Sequence, residues 1–485
     1  MVNFKLINKI LGQLLFIEAM LMLSCLIMSF CYKEDDLFGF LIAFILTILT
    51  ATTLRYHGHN AKDSLSRRDA YMVVSLTWVV FSLMGALPFL ISGYITNFTD
   101  AYFEAISGFT TTGATIVNDV ERLPHALLFW RTLSQWVGGL GIVFFTIALL
   151  PSLTGGPTRI FAAEMTGPIR TKLHPKLSTT AKWIWTIYIF LTLACAGSYL
   201  LCGMTPFDAV NYAMTTTATG GFATHNSVTS TFVTPAMEYV CVLFCFLAGV
   251  NFSLLYFSCS KWRPSALFHN AEFRLYFWMV VGCTLAVAAI LFIQCDYNAE
   301  HALRAGLFQV VSFLTSTGLF NEDTSSWPHA TWIILGVCMF VGACSGSTSG
   351  GIKAIRVVIL MKNIRNEFSQ MIHPNAVLPL KVNGQHVSAN KRSTLLAFLT
   401  AYMIICIIAG GILLAAGIDA QNASTILLSC MANVGPSLDQ NIGPHMTWTI
   451  LPVGVKWLCA ALMLVGRLEI FTVLILFSRS YWKKN

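Results

Sequence analysis

Charge is scarce in this sequence: Asp, Glu, Lys and Arg make up 11% of 485 residues against 56% hydrophobic, and mean hydropathy is +0.68. A soluble chain carries about 25% charged residues, so an ordinary cytosolic enzyme, a disordered chain and a disulfide scaffold are excluded. Strict alternation of apolar and polar residues is missing too, which excludes an outer-membrane barrel. The basic residues collect on no single face, so nothing points to nucleic acid as a partner. No phosphate-cradling glycine loop with its lysine occurs, so the chain itself is no ATPase. A catalytic constellation is also lacking: His57, His59, His174, His225 and His386 sit in separate loops without a partnering Cys or carboxylate motif. The 14 cysteines lie mostly inside apolar stretches, and Cys241 and Cys245, on one helix face, have no histidine beside them. Packing rather than metal binding is their expected role.

What the chain does have is apolar length. Stretches long enough to cross about 30 Å of hydrocarbon recur at residues 7–32, 37–54, 70–90, 130–150, 183–201, 235–257, 275–293, 332–360, 395–416 and 447–477. The first is too long for a cleaved signal, whose apolar core spans about 7–15 residues. Alternate loops collect the cations: Arg55, Lys62, Arg67 and Arg68; Arg159, Arg170, Lys172 and Lys176; Lys261 and Arg263; Lys353, Arg356, Lys362 and Arg365. Lys381, Lys391, Arg392, Arg479, Lys483 and Lys484 fall on the same side, whereas Glu34, Asp35, Asp36, Asp119, Glu121, Asp296, Glu322, Asp323 and Asp439 lie opposite. The basic side is expected to be cytoplasmic with both termini, and the acidic outer face to concentrate cations.

Between alternate spans a second pattern recurs roughly every 100–120 residues. The segment opening near Glu104 ends Thr110-Thr111-Thr112-Gly113, and the one from Asp208 ends Thr217-Ala218-Thr219-Gly220-Gly221. The one from Ala305 ends Thr315-Ser316-Thr317-Gly318; a more degenerate copy ends Ala432-Asn433-Val434-Gly435-Pro436. Each reads as a spanning helix, a short re-entrant helix, a Thr/Gly loop and a second spanning helix. About ten helical residues cover only roughly 15 Å, too little to cross the bilayer. Asp100, Glu104, Asp208, Glu300 and Asp419 open these segments, which suits helix N-termini near the outer surface. The partially negative C-terminal ends then converge where a cation is stabilised. The predicted fold is an all-α integral membrane protein: four parallel repeats around a pseudo-fourfold pore, plus an extra N-terminal helix pair. Its expected divisions are the helix pair at 1–68 and repeats at 69–180, 181–270, 271–390 and 391–485.

Irregular backbone at membrane depth is tolerated only where it is buried or lines a water-filled path. Its free groups are carbonyls and Thr hydroxyls, and glycine permits the positive φ that lines carbonyls up. Four such loops make oxygen rings able to replace a cation's hydration shell. Gly113, Gly220, Gly318 and Gly435 are the expected central ring, with Thr111, Thr112, Thr219, Thr317 and Val434 beside them. Potassium is expected at Thr112, Gly113, Thr219, Gly220, Thr317, Gly318, Val434 and Gly435. Simple helix packing accounts for one such motif better than for four in register.

These loops, the stretch Trp130-Arg-Thr-Leu-Ser-Gln-Trp-Val-Gly-Gly-Leu-Gly and the Asn433-Val434-Gly435-Pro436 run resemble the Trk/Ktr/HKT superfamily of potassium transporters, most closely its TrkH branch. The likeness spans essentially the whole chain, and the extra helix pair is a mark of that branch. It implies a potassium-uptake subunit in the bacterial inner membrane, usually a homodimer with one pore per protomer. It also implies a cytoplasmic nucleotide-binding regulator of the TrkA type, through which any ATP or NAD effect would act; no cofactor is expected in the chain itself. No loop reads Thr-Val-Gly-Tyr-Gly, which implies a shorter filter and modest discrimination against sodium.

A gate is expected at two places. The apolar run from Trp332 is interrupted by Gly342-Ala-Cys-Ser-Gly346-Ser347-Thr348-Ser349-Gly350-Gly351, poor helix formers that cannot face lipid and fall near mid-bilayer. Arg467 lies mid-span, where an arginine faces protein or a water-filled cavity; Glu469 is too near in sequence to pair with it on a helix. The resemblance implies that both act as the gate. Glu18 is expected to be a buried polar contact without a functional role. The leading reading is gated, voltage-driven permeation of potassium. Sodium- or proton-coupled secondary transport is the alternative, disfavoured by parallel repeats and few buried carboxylates. A membrane enzyme would need a polar cluster that is missing.

Overall fold

The computed structural model describes residues 2–61, 65–141, 177–226, 232–260, 265–376, 378–438 and 447–483. Outside them lie the end of the expected span 130–150, Lys62, Arg159, Arg170, Lys172, Lys176, Lys261, Arg263, Lys484, His174 and Asp439.

Two antiparallel helices begin the chain, α1 (Phe4–Tyr32) and α2 (Leu37–His57). Ser29 donates to Asp36 across the turn between them, and a Cβ on Gly12 would stand 2.7 Å from the Ala51 carbonyl oxygen, so glycine lets the two backbones touch. The first sequence repeat follows as α3 (Arg67–Gly85), α4 (Leu87–Ile91), the half-length α5 (Phe98–Phe109) and α6 (His125–Gly139). The second comprises α7 (Leu177–Leu201), α8 (Pro206–Ala218), α9 (Pro235–Ala248) and α10 (Phe252–Ser260). After the short α11 (Ser265–His269) comes the third: α12 (Ala271–Gln294), α13 (Ala299–Leu314), α14 (His329–Val341) and α15 (Ala354–Ile372). An antiparallel ribbon, β1 (Lys381–Val382) with β2 (Gln385–His386), leads to α16 (Ala389–Ala415), α17 (Ala420–Ala432), α18 (Val453–Arg467), α19 (Phe471–Phe477) and α20 (Arg479–Trp482).

Among the described residues six helices are long and apolar enough to cross a membrane: α1, α2, α3 with α4, α7, α12 and α16. Four of these are the incoming helices of the repeats. Behind each comes a half-length helix of 12 to 16 residues, α5, α8, α13 or α17. At 1.5 Å per residue they reach roughly 18–24 Å, longer than the ten-residue expectation yet short of the hydrocarbon thickness. Side-chain caps from Asn97, Thr205 and Asp419 satisfy their first N–H groups, and Asp100, Asp208 and Glu300 sit in first turns, as the macrodipole favours.

The outgoing helices behave differently, and here the sequence-based expectation needs correction. Only the third was expected to break, and it does, between Val341 and Ala354. The spans expected at 235–257 and 447–477 break as well: α9 and α10 meet at 100°, α18 and α19 at 116°. In the first repeat α6 already ends at Gly139, followed by Gly141 at φ +88°. These turns hide inside apolar runs because each needs only one or two residues in an unusual conformation. Asn251 makes the second turn by accepting from the N–H groups of Ser253 and Leu254. Glu469 and Ile470 make the fourth at φ 52° and 57°; a β-branched residue there is strained.

Candidate functional site: four loops above a buried glycine-rich turn

All four half-length helices end the same way. A left-handed residue closes each helix, either as the cap itself (Thr219, φ 54°, and Asn433, 52°) or directly after it (Thr111, 53°, and Ser316, 57°). Its N–H reaches back to Gly108, Thr216, Phe313 or Cys430, and the next N–H to Ser107, Thr215, Ser312 or Ser429. This is the double hydrogen bond of a Schellman motif, which normally places glycine at the left-handed position. Here that position carries Thr, Ser or Asn, and the glycine follows two residues later: Gly113 (φ 81°), Gly221 (85°), Gly318 (73°) and Gly435 (101°).

The second loop therefore differs by one residue from the sequence-based reading. Gly220 aligns with Thr112, Thr317 and Val434, and Gly221 takes the place expected for Gly220. Two adjacent glycines could not be told apart without the left-handed Thr219 to set the register.

The four glycines share one contact. A Cβ on Gly113 would stand 2.1 Å from the Gly220 oxygen, on Gly221 2.2 Å from that of Thr317, and on Gly318 2.0 Å from that of Val434. On Gly435 it would stand 2.2 Å from the Thr112 oxygen, which returns the circuit to the first loop. Only hydrogen fits at these positions. Thr110 and Thr112 share a hydroxyl bond of 2.8 Å, Thr315 and Thr317 one of 2.7 Å, and Asn433 Nδ2 donates to Thr112 Oγ1 at 3.0 Å. Gln135, which sequence reasoning missed, holds the second loop: its Nε2 donates to the Gly220 oxygen at 2.7 Å, and its Oε1 accepts from Thr215 Oγ1 and the Phe222 N–H. Arg131 and Glu104, 2.8 Å apart and buried, brace the outer ends of the first two loops. Arg131 also donates to the Ala223 oxygen, and Glu104 accepts from Thr115 Oγ1 and the Ile116 N–H.

The glycine-rich turn of the third repeat packs against the bases of these loops. Thr348 Oγ1 donates to the Thr217 oxygen at 3.1 Å, and the Gly350 N–H to Ser316 Oγ at 2.5 Å. A Cβ on Gly350 would stand 2.0 Å from the Ala432 oxygen. Gly346 and Gly351 are left-handed, and Ser347 and Ser349 bond one another. Arg467 reaches the same turn, with Nη1 donating to the Thr348 oxygen at 3.0 Å and Nη2 to the Gly139 oxygen at 2.8 Å. Thus all the residues expected for loops and gate meet in one place. Glu469 pairs with Arg356. Lys353 and Arg356, counted in sequence among the cytoplasmic-loop cations, are instead buried here; Lys353 has φ 81°, and its amino group donates to the Ser349 oxygen. A cavity of about 120 Å³ lies here, lined in part by Trp78, Ser347, Ser349, Lys353, Asn433 and Arg467. Glu469 borders it too, so the basic side chains of Arg467 and Lys353 share this small space with one carboxylate. Glu18 is buried far from these loops in sequence, with neither carboxylate oxygen hydrogen-bonded among the described residues.

Half-length helices ending in glycine loops, framed by uninterrupted and broken apolar helices, define a membrane-embedded transport protein rather than an enzyme. Residues 37–484 match the sequence profile of the TrkH family, described as a cation transport protein, and the chain belongs to that family. It is 34% identical to the Trk system potassium uptake protein TrkH of Halomonas elongata over 99% of this chain and all of that one. Against the protein of the same name from Escherichia coli K12 it is 33% identical over 99% of this chain and all of that protein. The crystal structure of the potassium transporter TrkH from Vibrio parahaemolyticus superposes with a TM-score of 0.88 at 33% identity, covering 99% of this chain and all of that one.

Proposed function

We propose that this protein carries potassium into the cell through a gated, channel-like pore, with the four glycine loops as its selectivity filter. The observation that carries the reading is the closed circuit of loops, in which each glycine abuts a carbonyl oxygen of the next. Oxygens crowded in this way suit a dehydrated alkali cation. The printed names of the relatives, potassium uptake proteins, support the choice of ion. In this reading Gly346, Ser347, Thr348, Ser349, Gly350, Gly351 and Arg467 form the gate below the filter, and Lys353 is tied to it through the Ser349 oxygen. The relatives belong to a Trk system, which fits a homodimer working with a cytoplasmic nucleotide-binding regulator. The excess of Lys and Arg in one set of loops supports a cytoplasmic position for both termini, and the transporter family fits the bacterial inner membrane.

The test is cation flux into vesicles containing the purified protein at clamped voltage. Potassium should enter down its electrochemical gradient without a sodium or proton gradient; strict dependence on either gradient would replace the channel by a coupled carrier. Serine at Gly113 or Gly318 should alter the potassium/rubidium/sodium preference, and unchanged preference in both variants would remove the filter assignment. Arg467→Ala should raise basal flux at equal protein content.

A further inference from the structure

Four residues occupy the left-handed caps at the base of the glycine loops, but only one of them bonds the glycine-rich turn below. Ser316 Oγ accepts the Gly350 N–H at 2.5 Å and donates to the Thr315 oxygen at 2.6 Å. The other caps spend their side chains elsewhere: Thr219 Oγ1 on the Ala218 oxygen, and Asn433 Nδ2 on Thr112 and the Met463 oxygen. Among the described residues neither of these two hydrogen-bonds Gly346 to Gly351.

The two ends of the Ser316–Gly350 bond are both constrained. Ser316 holds a backbone conformation unfavourable to any residue with a Cβ, so its neighbours must keep it there. Gly350 is pressed against the Ala432 oxygen and cannot shift sideways. A turn that swings out of the ion path must break this bond. Doing so removes one of the contacts that hold Ser316 left-handed, and with it the orientation of the Thr317 and Gly318 peptides next in line.

We propose that Ser316 is a positioning residue that couples gate to filter, so that releasing the glycine-rich turn changes cation preference as well as flux. The inference rests on the filter and gate reading above and specifies how that site is regulated.

The experiment uses the full chain in vesicles, reading basal potassium flux and the potassium/rubidium/sodium ratios together. Ser316→Ala keeps the fold's volume but removes the acceptor; it is expected to raise flux several-fold and to lower potassium-over-sodium preference by about threefold or more. Ser316→Thr retains the hydroxyl, on a residue type that Thr111 and Thr219 already carry at this position, and should restore both values. A second measurement acts from the side of the turn. Arg467 bonds the turn at Thr348, so releasing that bond in Arg467→Ala should change the ratios as well as the flux. Because the three ions carry the same charge, loss of the guanidinium acts on them alike, and a changed ratio reports filter geometry. Raised flux with unaltered ratios in Arg467→Ala, or a change in only one of the two quantities in Ser316→Ala, overturns the coupling and leaves the gate standing. Unaltered flux in both variants removes the gate reading itself.

Discussion

Gly435 faces the carbonyl oxygen of Thr112 so closely that a Cβ there would come within 2.2 Å of it, and by this contact the last loop meets the first. The same relation holds for Gly221 and Thr317 but not for Gly220, whose Cβ would meet the side chain of Gln135. Gly221→Ala combines a positive φ with a backbone clash and should cut potassium flux by more than tenfold. Gly220→Ala needs only a rearrangement of Gln135 and should be milder. Equal losses in the two variants, measured as vesicle flux at matched protein content, would reverse the register assigned to the second loop.

That register marks the limit of what the sequence discloses. The half-length helices were legible because they are too short to span, open with acids and recur four times in step with glycine. The glycine-rich turn was legible because a Gly/Ser run from Gly342 to Gly351 interrupts apolar residues. The turns at Gly249–Asn251 and Leu468–Ile470 were not: Arg467 and Glu469 mark the second as unusual, but no glycine or proline run shows that the helix breaks there. Ser316, Asn433 and Gln135 escaped notice for a related reason: their roles depend on partners 34 to 321 positions away. Arg131 is a sharper case. Its carboxylate partner, Glu104, belongs to a different element and lies in the middle of α5, not at the helix N-terminus where its sequence position suggested.

The Arg131–Glu104 pair should be energetically conspicuous. Both side chains are at most 1% exposed, and Arg131 also lies 4.2 Å from the centre of the Phe222 ring. Removing one partner from a buried ion pair strands the other, at a cost of about 3–5 kcal/mol. Arg131→Met should therefore lower the unfolding temperature strongly, and Glu104→Gln combined with it should recover part of the loss. A double variant as unstable as the sum of the single ones, by thermal unfolding of the purified protein, would rule out this coupling.

Acid should loosen the outer face between the first two repeats. Asp208 stands beneath His225, 3.4 Å from its Nε2, while Glu121 lies 3.3 Å from Nδ1 of the same ring. Partial burial alone would push the Asp208 carboxyl up, but hydrogen bonds from Thr205 and Thr224 and the neighbouring His225 bring it below the usual aspartate value. A depressed carboxyl contributes stability that is fully present above about pH 3.9 and is lost as pH falls through its lower folded value. Asp208→Asn should lower the unfolding temperature at neutral pH and flatten its fall below about pH 4. A variant that keeps the full acid dependence would assign it to other groups.

In the proposed gate Arg467 would close the path either by its charge alone or by the shape of its guanidinium, and lysine separates the two. The guanidinium bridges the Thr348 oxygen on one nitrogen and the Gly138 and Gly139 oxygens on the other, clamping the glycine-rich turn to the end of α6. An ammonium keeps the positive charge but offers a single point in place of the planar fork, and cannot span the same carbonyls. If repulsion sufficed, Arg467→Lys would leak no more than the natural protein. The clamp geometry instead predicts a basal potassium flux clearly above it and below that of Arg467→Ala, with the difference between Lys and Ala shrinking as salt screens the charge. Flux in Arg467→Lys indistinguishable from the unmodified protein would show that the three carbonyl bonds are dispensable for closure.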